Sequence, residues 1–324
     1  MNRLRAYRAL EEISQDDLGK VLGLSAQMIS AVEGGRRPFL GDLSVIGYSN
    51  ARLELPDMSE PLHRHRATTK VATKRRAHEL LRLAGEVFAE LKSRVDGVPS
   101  LTIEPLPAPE SLEDVEKLAV DVRYLVRHEP EGPIRNLTAV VERAGVCLVP
   151  VGKLDGIDGL SSWVNGVPVV GVNPNVPGDR FRHTLAHELA HLLCHVRKGE
   201  TTEDEANRFA GAFLFPESEF DDQMPARPQL RDFVNLKSSW GVSVAALVYR
   251  AHELEYIDDR RYRALQIQMS KWRKSEPATF APVHGELFST TVAAAGGVDA
   301  VARNLGVNRS HLRDLNNWSH LRLA

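Results

Sequence analysis

Residues 181–195, which read FRHTLAHELAHLLCH, carry the strongest chemical signal in the chain. His187 and His191 are four residues apart, and on a helix such residues share one face about one turn apart, so both imidazoles can reach one tetrahedral ion. Glu188 is rotated by about 100° from His187 and can act on a nearby water without being a ligand. This spacing predicts a zinc centre for hydrolysis. The alternative is a buried helix whose two histidines are satisfied by hydrogen bonds.

A zinc centre of this kind needs a third protein ligand. Histidines recur at positions 183, 187, 191 and 195. However, His187 and His195 would lie about 12 Å apart along a straight helix, too far for one ion to bind both together with His191. The next segment, ETTEDEANRFA, places acids beside a packing face of alanine and phenylalanine. We expect Glu205 to be the third ligand, with Glu203 as the alternative. Without a metal, these acids form a solvated helix N-terminus favoured by the helix dipole.

Several sequence blocks around this motif follow one another in a fixed order: GLS (159–161), PVVGVN (168–173), RHTLAHELAH (182–191), EANRFA (205–210) and LFP (214–216). Together they resemble the ImmA/IrrE family of bacterial and phage metallopeptidases over roughly residues 134–254. The resemblance implies a gluzincin-like zinc site with His187, His191 and Glu205 as ligands and Glu188 as the catalytic acid/base. It also implies a protein substrate, because known members cut or inactivate helix-turn-helix repressors. Ala190 stands where the family commonly has glycine, and its methyl group leaves the ligand geometry untouched.

Some side chains have chemistry suited to stabilising a developing oxyanion, namely Arg180, Arg182, His183, His195 and Tyr249. Each of these residue types is more common at a protein surface or in packing than in a catalytic role. The sequence therefore leaves the oxyanion-stabilising residue unassigned. Cys194, three positions past His191, is interpreted as a buried thiol and not as a ligand.

Residues 14–37, SQDDLGKVLGLSAQMISAVEGGRR, indicate two short helices joined by a tight turn. A serine N-cap followed by Asp17 opens the first helix, and Gly23 marks the turn. Over about the first fifty residues this pattern resembles the helix-turn-helix of the Cro/phage-repressor type. Gly19 stands where alanine is usual, which slightly weakens the first helix.

That second resemblance implies contacts with double-stranded DNA. By analogy, Gln15 and Ser25 contact phosphates, and Gln27, at the exposed start of the second helix, is the best candidate for reading a base. Further candidate contacts are Ser30, Arg36 and Arg37. We expect a homodimer that reads two half-sites about one helical turn apart. The alternative is a small helical module that docks protein and never touches DNA.

Composition excludes several classes of protein. The chain has 324 residues, 41 Lys+Arg and 43 Asp+Glu, and a formal net charge of −2, so it does not coat nucleic acid by bulk attraction. Two cysteines, neither in a C-x-x-C pair, exclude a disulfide framework and favour a reducing compartment. No apolar run reaches the roughly eighteen residues of a membrane span. We expect a soluble, cytoplasmic protein.

The order of patterns along the chain predicts a multidomain, mainly α fold. The first part is an all-α helix-turn-helix domain (1–54), followed by a linker (55–110) with a long amphipathic helix (75–95). An α+β zincin-like metallopeptidase domain (111–270) includes the HExxH helix, and a C-terminal helical extension (271–324) follows it. Apolar pieces at 146–151, 159–164 and 167–172 predict a small antiparallel sheet in the peptidase domain, with a hairpin turn at Asn165-Gly166.

In the C-terminal extension, residues 297–315 again read helix, glycine turn, helix. This pattern favours a packing hairpin over a second DNA-contacting element.

These observations leave several functions open. The first is a DNA-binding transcriptional regulator with a fused zinc-dependent metalloendopeptidase domain, which cleaves itself or a partner repressor. The second is a non-proteolytic repressor or antitoxin-like DNA-binding protein whose zincin domain is a sensor or a scaffold. A third, a peptidase whose N-terminal helices only dock protein, would show no salt-dependent DNA binding.

Overall fold

The structure is a computed structural model that describes residues 2–65, 69–127, 131–152, 156–194, 201–272 and 276–318. The chain forms two compact units, each built from separate stretches of sequence. The first unit comprises Met1–Pro99, Gly145–Pro174 and Gly285–Ala324, and the second comprises Ser100–Ala144 and Asn175–His284. The first unit thus combines residues of the predicted helix-turn-helix, the predicted sheet and the predicted C-terminal extension.

The fold is mainly α with one small sheet, as the sequence predicts. The helices in chain order are α1 (Arg3–Glu11), α2 (Gln15–Leu22), α3 (Ala26–Glu33), α4 (Val71–Lys92), α5 (Leu112–Arg127), α6 (Leu137–Arg143), α7 (Gly178–Cys194), α8 (Thr202–Leu214), α9 (Glu217–Gln223), α10 (Leu230–Trp240), α11 (Val244–Glu253), α12 (Asp259–Met269), α13 (Leu287–Ala294), α14 (Gly297–Leu305) and α15 (Arg309–Asn316). The strands are β1 (Leu62–His65), β2 (Cys147–Pro150), β3 (Ile157–Val164) and β4 (Val167–Val172). None of the helices in the described ranges is both long enough and apolar enough to cross a membrane.

In the first unit, α2 and α3 form the predicted helix-turn-helix. Ser14 and Asp17 make a reciprocal capping box at the start of α2. The turn is tight, because a Cβ atom on Gly19 would lie only 2.4 Å from the carbonyl oxygen of Leu24. Glycine at position 19 therefore lets the chain pass close to α2, which offsets its low helix propensity.

The sheet of the first unit has the strand order β1-β3-β4-β2. β1 pairs with β3, and β3 with β4, in antiparallel fashion, and the β3–β4 hairpin turns at Asn165-Gly166 as predicted. β2, however, pairs with β4 in parallel. The sheet is therefore mixed, and the prediction of a purely antiparallel sheet was wrong. Two reversals of the chain, into β3 and then into β4, bring β4 back parallel to β2 and between β2 and β3.

One apolar core fills the first unit. The long helix α4, predicted at residues 75–95, supplies buried residues such as Leu81 and Val87, which join Leu160 of β3 and Val169 of β4. The same cluster includes residues of the N-terminal helices and of α13, α14 and α15. Burial of this continuous apolar surface is the main stabilising contribution in the unit.

The second unit is all-helical over its described residues and is built around α7 and α8. α7 follows Pro177, and its first amide, that of Gly178, donates to the carbonyl of Phe280 at 2.9 Å. α8 buries the predicted packing face of Ala206, Phe209, Ala210 and Phe213. Ser243 caps α11, and Gly241 ends α10 in a left-handed conformation.

Candidate metal centre

The HExxH residues lie in the interior of the second unit. His187 and Glu188 are fully buried, and His191 is 2% exposed. The Nε2 atoms of the two histidines are 3.0 Å apart, and the ring planes are nearly perpendicular, at 89°. One helix turn thus directs two ring nitrogens at the same point, as the spacing predicts.

Glu203 of α8 brings a carboxylate to this pair. Its Oε2 lies 3.5 Å from His187 Nε2, and its Oε1 lies 3.7 Å from His191 Nε2. Across the described parts of the chain, these three residues form the one group of three or more His, Cys, Asp or Glu whose ligand atoms lie within 4.8 Å of each other. In a tetrahedral zinc site with bonds of about 2.1 Å, the donor atoms are about 3.4 Å apart. The donor set and its spacing therefore fit a zinc ion.

Glu205, predicted as the third ligand, is not part of this group. Residues two apart on a helix point about 200° apart, so the side chains of Glu203 and Glu205 cannot both reach the point between His187 and His191. Glu205 instead lies near Cys194. Burial, together with the charge of Glu205, raises the pKa of the Cys194 thiol to about 12. The geometry thus favours the alternative, Glu203, and leaves Cys194 a buried, protonated thiol.

A further residue of the site, Asn207, lies one helix turn after Glu203. Its side-chain Oδ1 is 3.1 Å from Nδ1 of His187. Because an amide oxygen only accepts, Nδ1 donates, and Nε2 is left with the lone pair that a metal needs. In the sequence, Asn207 stands within the block EANRFA (205–210), and no role was predicted for it. The spacing of four from Glu203 is the signal that could have identified it.

Ion pairs connect α8, the helix that carries Glu203, to α5 and α11. Glu116 of α5 accepts two hydrogen bonds from Arg250 of α11, both at 2.8 Å, and also pairs with Arg208 of α8. Arg208 binds Glu253 as well, at 3.1 Å. Breaking a partly buried pair of this kind has a cost, because the remaining charge is left without a partner.

The structure separates the candidates for oxyanion stabilisation. Arg182 is engaged elsewhere, since its guanidinium donates to the carbonyls of Ile134 at 2.7 Å and Trp240 at 3.2 Å, and burial lowers its pKa to about 10. Arg180 and Tyr249 are exposed, and His183 is half-buried on α7. His195 lies outside the described residues.

The residues predicted to contact DNA lie on and around α2 and α3. Gln27 and Ser25 are exposed at the start of α3, where Ser25 caps the helix by accepting from the amide of Met28. Arg36 and Arg37 are exposed just after α3, and Arg36 is 3.4 Å from the half-buried Ser30 hydroxyl. Gln15 is already engaged, because its amide donates to Glu33 at 2.8 Å.

Comparison with known proteins identifies the region that holds the metal centre. Residues 148–252, from β2 to α11, match the family model of the IrrE N-terminal-like domain, Peptidase_M78. This stretch of the chain is therefore similar to an IrrE N-terminal-like domain. All residues of the His187, His191 and Glu203 group lie inside this IrrE-like domain, and the resemblance predicted from the sequence blocks is confirmed.

An N-terminal segment has a separate relative. It is 51% identical over 35 residues to an uncharacterized HTH-type transcriptional regulator of Methanocaldococcus jannaschii. The match covers 11% of this chain and 53% of the archaeal protein, so the chain spans about half the length of that relative. This similarity supports the fusion of a helix-turn-helix to the IrrE-like domain.

Proposed function

We propose that the chain is a DNA-binding transcriptional regulator whose IrrE-like domain is a zinc-dependent metalloendopeptidase. The observation that carries the proposal is the group of buried His187 and His191 with the partly exposed Glu203, together with the buried Glu188 on α7. A His₂Glu donor set of this spacing is typical of catalytic zinc, which keeps one coordination position open. The helix-turn-helix and its regulator relative support the DNA-binding half.

In this proposal each residue of the site has a defined role. His187, His191 and Glu203 hold the ion, and Asn207 orients His187. Zinc bound there supplies Lewis acidity at its open position. Glu188 takes the proton of the water that attacks a peptide carbonyl and later delivers this proton to the leaving amine. Burial of Glu188 keeps bulk water from competing for that proton.

The proposed macromolecular partners are double-stranded DNA and a protein substrate. Exposed Gln27, Arg36 and Arg37 support DNA contact, with phosphate binding through the arginines and base reading through Gln27. The substrate is a helix-turn-helix repressor or a second copy of this chain. A homodimer would place two α3 helices on half-sites one helical turn of DNA apart.

Glu188→Gln in the full chain tests the peptidase. We expect wild type and variant to hold about one zinc per chain by elemental analysis. Wild type should cut its own chain or a repressor encoded nearby, whereas the variant should cut neither. A variant that cuts at the wild-type rate would refute the role of Glu188. Full zinc loading with every candidate substrate intact would favour the non-proteolytic alternative, in which the domain is a sensor or scaffold.

A further inference from the structure

The C-terminal hairpin α14–α15 repeats the local structure of α2–α3. When Gly306 is aligned with Gly23, both glycines end their first helix in the left-handed conformation, at φ 63° and 68°. Each cap amide donates to the carbonyl four residues back, on Ala302 and Gly19 respectively. Two residues later, Asn308 and Ser25 cap the second helix with their side-chain oxygens.

The two hairpins also bury the same positions. Leu18, Ile29 and Val32 of the first hairpin correspond to Val301, Leu312 and Leu315 of the second, and all are at most 4% exposed. Residues 297–315 therefore repeat the caps and the buried positions of α2–α3.

The two copies differ in what their turns contact. In the first copy Ser25, the residue expected to meet a phosphate, is exposed. In the second copy the equivalent Asn308 uses its amide to donate to the carbonyl of Ile46 at 2.9 Å. Close by, the carbonyl of Gly306 accepts from the amide of Ser49 at 2.9 Å. The turn that would face DNA is thus engaged by the N-terminal part of the chain.

His311 of α15 extends this contact to α1. Its Nε2 donates to Glu11 at 2.7 Å, and its Nδ1 accepts from the hydroxyl of Tyr48 at 2.9 Å. Burial lowers the pKa of His311, which matches a neutral ring in this arrangement. Arg52 adds a hydrogen bond to the carbonyl of Leu305 at 2.9 Å.

The same segments belong to one buried apolar cluster, which also includes residues of α4 and of the sheet. Leu4, Leu10, Ile29 and Val32 belong to one buried cluster with Leu305, Leu312 and Leu315. After α3, the N-terminal segment provides only two 3₁₀ turns, Leu43–Ile46 and Asn50–Arg52, before the chain reaches β1. Helices of eight or nine residues are not stable on their own, so α1, α2 and α3 depend on such packing.

We infer that the helix-turn-helix module is discontinuous in sequence: the hairpin α14–α15 completes the core of α1–α3 and is required for DNA binding without itself contacting DNA. The claim that the hairpin is required for DNA binding rests on the DNA binding proposed above. The claim that the hairpin completes the core of α1–α3 does not depend on that proposal. The residues that lie between α3 and α14 in the sequence include the whole metal centre.

Three variants of the full chain test the inference. Leu312→Ala removes a fully buried contact, Asn308→Ala removes the hydrogen bond to Ile46, and Arg313→Ala, at the neighbouring exposed position, is the matched control. The first readout is amide hydrogen exchange of residues 3–33 without DNA. The second is affinity for a duplex that covers the promoter of the chain's own gene, and the third is zinc content.

We expect Leu312→Ala to speed exchange in α1–α3 and to weaken DNA binding, each by about tenfold or more. Asn308→Ala should act in the same direction by a few-fold, and it keeps the inference testable if Leu312→Ala does not fold. Arg313→Ala should match wild type, and zinc content should stay the same in all three variants.

Unchanged exchange in α1–α3 with both Leu312→Ala and Asn308→Ala would overturn the inference. Loss of DNA affinity in Arg313→Ala with normal exchange would also overturn it, because the hairpin would then contact DNA directly. If wild type itself does not bind the duplex, the proposed DNA-binding function fails, while the exchange measurement still decides whether the hairpin completes the module.

Discussion

Replacing Asn207 with alanine should weaken zinc binding without removing any ligand. His187 is fully buried, and its Nδ1 lies 3.1 Å from Asn207 Oδ1. The substitution leaves a buried N–H without its acceptor, at a cost of about 1–3 kcal/mol. It also frees the ring to rotate or to move its proton to Nε2, where it would block the metal.

The expected loss follows from this cost. Removing an outer partner of a metal-bound histidine typically costs about 10–100-fold in affinity, which corresponds to about 1.4–2.7 kcal/mol. The range of about 1.4–2.7 kcal/mol lies within the range of about 1–3 kcal/mol for the lost hydrogen bond. The assay is competition for zinc against a chromophoric chelator of known affinity, with the full chain at neutral pH.

Two controls sharpen this experiment. Asn207→Asp keeps an acceptor at the same place and should bind zinc within about threefold of wild type, because carboxylates are common partners of zinc-bound histidine. Asn235→Ala removes the same type of side chain from an exposed position of α10 and should have no effect. Wild-type affinity in Asn207→Ala would refute the argument that this hydrogen bond orients His187.

Further predictions address the third ligand, the DNA interface and the fold. Glu203→Gln should lose most of the bound zinc and Glu205→Gln should keep it, as measured by elemental analysis; the reverse pattern would make Glu205 the ligand. Gln27→Ala should reduce discrimination between operator sequences by about 1–3 kcal/mol, as measured by fluorescence anisotropy. In the same assay, Arg36→Ala should weaken binding to all sequences and reduce the slope of log affinity against log salt concentration by about one. Burial raises the pKa of Glu33, but hydrogen bonds from Arg8 and Gln15 outweigh it and hold this pKa below the ordinary 4.5. The carboxylate therefore stabilises the fold above pH 4.5, and this stability is lost as pH falls through the lowered pKa. In urea titrations, Glu33→Gln should be less stable than wild type at pH 7 and should lose less stability on acidification. Unfolding free energies of variant and wild type that change in parallel with pH would contradict this.

Local rules predicted the parts of the site that lie within one helix. The four-residue spacing of His187 and His191 determines their common face, whatever surrounds α7. The same holds for the hairpin at Asn165-Gly166, because the turn type depends on those two residues. Such features can be predicted without information on contacts between residues that are distant in the sequence.

Features that depend on packing between elements could not be read in this way. The choice between Glu203 and Glu205 depends on how α8 is rotated against α7, and that rotation is set by the buried face and by the Glu116 ion pairs. The parallel pairing of β2 with β4 likewise depends on the order of the strands in the sheet, which the separate strand patterns do not determine. The hairpin α14–α15 was predicted as a packing element, but its partner surface on residues 46–52 lies about 250 residues away in the sequence.

The discontinuous first unit also determines when, during synthesis, its core can close. α3 ends at Glu33 and α14 begins at Gly297, so the ribosome must add roughly 260 residues between them. At about 5–20 residues per second this takes roughly 13–50 s. Throughout that time α1, α2 and α3 leave the ribosome without Leu305, Leu312 and Leu315, which belong to the same buried apolar cluster. The first helices to be translated are thus among the last to reach their final packing.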